Sequence, residues 1–559
     1  MPVDRDAPAL LPVNMLDWVP EDHVVRLVID TVEAVATPEL TVRLVPAVRS
    51  RRGRRRYDPV MLLTLLAYSY LRGVLSMRAI EDRCRYDVTF RVACGKHVPD
   101  HVTISRFRKL ACSQDGLMEE LFYAVLRVCA AAGLGRLTVV AGDGVKIGAN
   151  ASKEANRTEA ALRKLAAAIV AEAAAGDEPG AAGAGQDLSG GESLGPGWAD
   201  PRSRLGRVQA CLADFAAQRE AADAQRRAQG QAWLDAQAAG QPVTRPPACV
   251  AVDAARIALE QEVARHQALA GEWDRKRAAG EKTGCKPVPV DRSRRVARQR
   301  ERLERAEAAA RAQQAEDEAG EPEPGGKKSK PRPVRNVTDP APALMPVRGG
   351  GLKQGCNCQD AAADDRLMLG GFASSNAAGT VHAARLEQVA VKGAQVVAAA
   401  HADPGHDAAA CHARMCTSRD KADPGHDAAV CHAQMTSGIG VMAEDAGYCS
   451  ETNLTAEGSA GRLIATGNRA SMGKAARDNP AAGPPPEGAT ATEAMDHRLR
   501  TPEGRAAYKR RAPDAGGLHA SIEDVIGLRR FSLRGLTLVT GEFLLAGLCH
   551  NLLLLSRLP

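Results

Sequence analysis

In EDHVVRLVIDTVEAV the apolar positions Val25, Leu27, Val28, Val32 and Val35 recur around one stripe, which predicts a helix. Residues 1–50 read as helical throughout, with Asp17 and Pro20 punctuating the first segment. VMLLTLLAYSYLRG predicts the next helix, with Asp58 placed to cap it and Pro59 suited to its first turn. SMRAIEDRCRYDVTFRVACG follows with Ser76 as its cap, and PDHVTISRFRKL predicts a third helix starting near Thr103 or Ser105. The pattern then changes. LTVVAGDGVKIGAN, residues 137–150, carries β-branched residues straight into Gly142-Asp143-Gly144 and predicts a strand. From Ala151 to about Ala270 the chain is alanine-rich and helical, broken by a glycine-rich linker at 176–197. Residues 250–320 predict a helical hairpin or coiled coil whose charges read as a solvated face, and EPEPGGKKSKPRPVRN, 321–336, has the composition of a disordered linker.

A second ordered region begins with NVTDPAPALMPVRGGG and continues as a turn and strand in QGCNCQDAAADDRLMLGGF. ADPGHDAAACHARM at 402–415 then recurs as ADPGHDAAVCHAQM at 422–435, and two units are too few for a solenoid, so a local duplication is the simplest explanation. IGVMAEDAGYCSETN predicts a strand ending at Glu444-Asp445 and a helix capped near Ser450. The last segment begins with a basic turn at YKRR and ends in an apolar helix. Arg534, Glu542, His550 and Arg557 interrupt its apolar run, so it reads as a core helix and not a membrane span.

At 559 residues the chain is too long for one compact domain. The net charge of +7 is mild, so a polyanion-binding surface must come from local clustering. Arg49, Arg51, Arg52, Arg54, Arg55 and Arg56 form such a cluster, and Arg106, Arg108 and Lys109 lie on the third helix after it. Helices with tight polar connections and these cations are the pattern of a small helical DNA-binding module, the alternative being a bundle with a solvated basic face. Aromatic residues make up only 3% of the chain, which argues for cores of Ala, Val and Leu and against large stacking platforms. The 14 cysteines are scattered and the first residues carry no signal-peptide pattern, so free thiols in a reducing cytoplasm are expected.

Asp143 and Asp445 stand out as two acids on β-branched strands about 300 residues apart. Carboxylates so placed can neutralise and position Mg²⁺ for phosphodiester chemistry, while Gly142-Asp143-Gly144 and Asp445-Ala446-Gly447 are equally good turn sequences. The repeat offers His406, Cys411, His412, His426, Cys431 and His432 as possible zinc ligands, without a CxxC anchor.

YDPVMLLTLLAYSYLRGVLSMRAIEDRCRYDVTFRVACG with PDHVTISRFRK resembles the InsH-type N-terminal domain of bacterial insertion-sequence transposases. AGDGVKIGANASKEANRT, NVTDPAPALM with GGLKQGCNCQ, AEDAGYCSETNL, and GLRRFSLRGL with HNLLLL resemble, in the same order, the DDE catalytic domain of those enzymes. The resemblance implies an α/β protein: an all-α DNA-binding domain at 1–130, and an RNase H-like mixed-sheet catalytic domain at 131–175 and 336–559. A partly disordered glycine-rich, helical and coiled insertion at 176–335 would interrupt the latter. It further implies metal-dependent DNA strand cleavage and strand transfer with Mg²⁺ or Mn²⁺, acting on terminal inverted repeats and target DNA. A homo-oligomer on DNA, no membrane, and a cytoplasmic, nucleoid-associated location go with it.

The first two catalytic acids of the family map onto Asp143 and Asp445. In the last motif Tyr508 and Arg511 fit, and they join the arginine run and Arg106, Arg108 and Lys109 as DNA-binding candidates. The family's Glu falls on Gly516 and its Lys on Glu523. This chain is therefore expected to lack its third ligand and to be impaired, with Glu523 the first candidate replacement and Asp514, expected in a turn before the helix, the second. The alternative is a catalytically inactive, transposase-derived DNA-binding protein.

Overall fold

The computed structural model describes residues 14–45, 56–113, 116–176, 201–241, 243–319, 333–347, 350–402, 438–456 and 461–558. Arg49, Arg51, Arg52, Arg54 and Arg55, residues 177–197 of the glycine-rich linker and the repeat at 402–435, apart from its first residue, lie outside them, as does most of the 321–336 linker. Contacts divide the chain into two compact units, residues 1–156 with 338–559, and residues 157–337.

The first unit opens with helices α1 (Val24–Val35), α2 (Pro38–Arg43), α3 (Pro59–Leu71), α4 (Met77–Tyr86), α5 (Val88–Ala93), α6 (His101–Ser113) and α7 (Leu117–Ala131). Asp58 caps α3 by accepting from the Val60 and Met61 amides, with Pro59 in the first turn. Ser76 stands at the start of α4 without a side-chain cap bond. The third predicted helix starts earlier than expected, at His101, because Asp100 accepts from the Thr103 amide and hydroxyl.

Strand β1 (Val139–Gly148) follows, so Gly142-Asp143-Gly144 lies within a strand and not in a turn. The glycines are there for room. A Cβ at Gly144 would collide with the Gln359 amide, and one at Gly142 would press on Leu386 and Met442. Strands β2 (Asn156–Arg157) and β3 (Arg335–Asn336) pair with each other. Between them run α8 (Glu159–Gly176), α9 (Pro201–Ala238), α10 (Ala248–Ala278) and α11 (Arg294–Ala319), the second unit. Leu162, Ile169, Val208, Cys211 and Phe215 form a small core between α8 and α9.

The chain then adds β4 (Ala343–Pro346), β5 (Leu352–Ala362), β6 (Met368–Ser374), α12 (Ala383–Ala402), β7 (Val441–Glu444), α13 (Glu451–Thr455), β8 (Arg462–Ile464), α14 (Arg469–Asp478), α15 (Ala491–Arg500), α16 (Pro502–Ala520) and α17 (Leu536–Leu555). The mixed sheet runs β4-β5-β1-β7-β8, with β6 also paired to β5. Strands β4, β1 and β6 are antiparallel to β5, whereas β7 is parallel to β1 and β8 to β7. One face of the sheet meets α12, through Gly142 against Leu386 and Gly370 against Val389. The other meets α16 and α17, through Asp143 and Asp360 against α16 and Gly371 against Phe543.

The basic turn expected at YKRR is absent. Residues 502–520 form one helix despite Pro513, because Ala515, Leu518 and the polar partners of Arg511 and His519 bind it along the sheet. Helix α17 is long and apolar enough to cross a membrane, yet most of it is buried against α3, α6, α7 and β6.

That burial encloses a charge. Glu542 is fully buried, accepts from the Tyr70 hydroxyl at 3.0 Å and from the Ser532 and Leu533 amides, and lies 3.5 Å from Arg108. Arg108 is only 5% exposed and also donates to the Tyr70 hydroxyl, so it ties the N-terminal helices to α17 instead of facing DNA. Arg106, two residues before it, and Lys109, the next residue, are exposed. Glu542→Ala would strand Arg108 and two amides, and should cost the unit about 3–5 kcal/mol in urea unfolding. Glu542→Gln, which keeps an acceptor, should cost less.

Candidate functional site

Asp143 and Asp445 come from neighbouring parallel strands. Gly142 of β1 is in register with Glu444 of β7, so the following residue of each strand is an aspartate. Asp445 then caps a short turn, Ala446–Tyr448, by accepting from the Ala446 amide. Its predecessor goes elsewhere: Glu444 is buried on the α12 face, accepting from Arg462 at 2.8 Å, and burial outweighs that partner and lifts its carboxyl to about 7. Asp143 and Asp445 keep side-chain exposures of 23% and 35%.

One guanidinium joins them. Arg511, on the face of α16 that lies against the sheet, donates from Nη1 to Asp143 at 2.9 Å and holds Nη2 3.8 Å from Asp445. Tyr508, one turn earlier, lies under that guanidinium with its ring centre 5.8 Å from Cζ. Arg511 and Tyr508, expected to touch DNA, are thus partners of the acid pair.

A third carboxylate was missed by sequence reasoning. Asp360 of β5 stands directly opposite Asp143 in the antiparallel register and is fully buried. His519 of α16 meets one of its oxygens at 2.8 Å, while the other has no hydrogen-bond partner. Burial raises the Asp360 carboxyl, and the nearby Asp143 adds to the effect. For His519 burial acts downward, but Asp360, then Asp143 and Glu523, outweigh it and lift the imidazole to about 9. The only signal in the sequence was an acid in an otherwise apolar strand, and the register that aims it at Asp143 is set by pairing across 217 residues.

The candidate replacements for the third ligand fall on different elements, Asp514 on α16 and Glu523 beyond its end. Asp514 lies inside the helix, not before it, and is buried beside Asp364 and Arg510, with burial lifting its carboxyl to about 6. A Cβ at Gly516 would meet nothing within 4 Å, so a side chain there has open space. Glu523 belongs to a π-turn, Ser521–Val525, which widens the helix after His519 and resets the facing of the residues beyond it. Its charge acts on His519.

By charge and hardness Asp143 and Asp445 suit a divalent cation. Among the described residues, however, no three His, Cys, Asp or Glu side chains converge to hold one, so the donor set fits only in part. The repeat's His and Cys lie outside the described residues.

Comparison with known families finds two matched segments. Residues 13–110 match a transposase domain (DUF772), and residues 485–556 match a transposase DDE domain. No curated protein and no solved structure matches the chain. Two transposase domains matched in this order support an insertion-sequence DDE transposase. The second match contains Tyr508, Arg511, Gly516 and Glu523, and neither match reaches Asp143 or Asp445.

The His519–Asp360 pair has a definite pH signature. Because the imidazole is raised in the folded protein, the stability it contributes is full below the unfolded value near 6.5 and is lost as pH rises through about 9. The difference in urea midpoint between the wild type and His519→Gln should therefore shrink steadily from pH 6.5 to 9.5. A constant difference would mean that His519 is held uncharged.

Proposed function

We propose that the protein is a DNA transposase acting on element ends, with Asp143 and Asp445 as its metal-holding pair, and that it is impaired by the loss of a third acidic ligand at Gly516. The observation that carries this reading is the pair itself, two aspartates that directly follow the last register pair of the parallel strands β1 and β7 and share one arginine. The strand order β6-β5-β1-β7-β8, antiparallel over the first three strands and parallel over the last two, supports an RNase H-like catalytic domain.

Each group then has a task. Asp143 and Asp445 would hold a divalent ion, Mg²⁺ or Mn²⁺, which when bound supplies charge neutralisation at a scissile phosphate. Arg511 contacts both carboxylates and holds them at one place. Tyr508 backs the guanidinium and limits its swing. Glu523 lies past the end of α16 in the π-turn and acts on His519, which argues against it as a direct replacement. Exposed Arg106 and Lys109, with the arginine run at 51–56, would bind the phosphate backbone of terminal repeats and target DNA, and pairing of two ends calls for a homo-oligomer.

A second reading, a DNA-binding protein that no longer cleaves, is favoured by the absence of a three-ligand cluster among the described residues. One experiment separates the two. Gly516→Glu should raise Mg²⁺-dependent nicking of end-containing DNA at least tenfold, about 1.4 kcal/mol of barrier, and Glu523→Ala should change little in that background. Strong nicking by the unmodified protein that Glu523→Ala abolishes would assign the ligand role to Glu523. DNA binding without nicking in every variant would favour the second reading.

A further inference from the structure

The second unit carries a surface that the catalytic reading does not use. Helices α10 and α11 form a hairpin whose connection is firmly built. The Trp273 indole donates to the Gly284 carbonyl at 2.9 Å, and Arg277 and Lys286 lie over its ring. Buried Ser293 meets His266 at 2.9 Å and opens α11. From this fixed end, residues 292–305 contain seven arginines and two glutamates, a local charge of +5 in a chain whose total is +7.

Their placement is directional. Val296 is buried and Leu303 partly so, whereas Arg292, Arg294, Arg295, Arg298 and Arg300 are exposed. At 100° per residue Arg294, Arg295 and Arg298 share one outward face, continued by Arg302 over the Trp233 ring and by Arg305, which pairs with Glu301. Arg294 to Arg305 spans roughly 16 Å of helix axis at 1.5 Å per residue. Arg292, Arg294, Arg295, Arg298 and Arg300 make no ion pair or side-chain hydrogen bond among the described residues. Three of them stand in the first turns of α11, where the helix dipole is positive and acidic residues are the stabilising choice. Folding alone therefore gives no reason for cations here. An anionic partner gives one, since the exposed guanidinium groups and the positive helix end act on it together.

We propose that this end of the α10–α11 hairpin is a DNA-backbone-binding surface, separate from the N-terminal helices, with Arg292, Arg294, Arg295 and Arg298 contacting phosphates. The partner is duplex DNA because the net positive charge of this stretch complements a phosphate backbone, and because the matched domains are transposase domains, which act on DNA. The inference rests on the DNA-acting reading above. It carries no sequence specificity, since guanidinium contacts to phosphate hold position and read no base.

The test compares the full-length wild type with a variant carrying Arg292→Ala, Arg294→Ala, Arg295→Ala and Arg298→Ala, all at exposed positions. Binding to end-containing and random duplex DNA is titrated across salt concentrations. The variant should lose at least tenfold in affinity at low salt, equally for both duplexes. Its log–log salt dependence should flatten by about 2–4, each lost phosphate contact being worth about 0.9. A wild type that binds DNA and a variant with unchanged affinity and slope would overturn this surface alone. A wild type with no affinity for DNA would overturn it together with the functional reading. A variant that loses binding to poly-L-glutamate but not to DNA would overturn it in favour of an acidic protein partner.

Discussion

Two carboxylates side by side where β7 ends against β1 repel, and the first unit is arranged around the cation that makes them compatible. The parallel register of β1 and β7 leaves no freedom in where Asp143 and Asp445 emerge. Arg511 must therefore be brought to them, which requires α16 to lie along the sheet with its Arg511–Ala515–Leu518 face inward. The same placement delivers His519 to Asp360, so one helix neutralises three acids with two cations.

The remaining elements serve that placement. Gly142 and Gly144 let β1 pass beneath Leu386 and the Gln359 side chain, and the Tyr448 hydroxyl donates to that same glutamine, binding the turn after Asp445 to β5. The fully buried Glu542, with Tyr70 and Arg108, joins the N-terminal helices to α17 in one core. A buried ion pair of this kind is a modest source of net stability but a strict condition on geometry, because neither partner can be left alone.

Much of this was legible from the sequence where the signal is local. Asp58 and Pro59 start α3, β-branched residues mark β1, and Ser450 caps α13 by accepting from the Asn453 amide. What escaped depends on long-range pairing. Asp360 matters because β5 sets it opposite Asp143, and Arg108 differs from its neighbours Arg106 and Lys109 only because α17 arrives from more than 400 residues away. Pro513, Gly516 and Gly517 give 513–517 the local chemistry of a turn, and tertiary contacts override it. The charges of α11 read as a solvated face because a one-dimensional count cannot show that five of its arginine neighbours find no acid, or that they crowd the positive end of a helix.

The most direct test of the shared acid pair is a set of double-mutant cycles on unfolding at pH 7, joining Arg511→Met with Asp143→Asn and with Asp445→Asn. If one guanidinium serves both carboxylates, Arg511→Met should destabilise the protein, and either asparagine substitution should recover part of the loss, with a coupling of at least about 1 kcal/mol in each cycle. Additive effects in both cycles would mean that the three side chains do not share a site and would contradict the account.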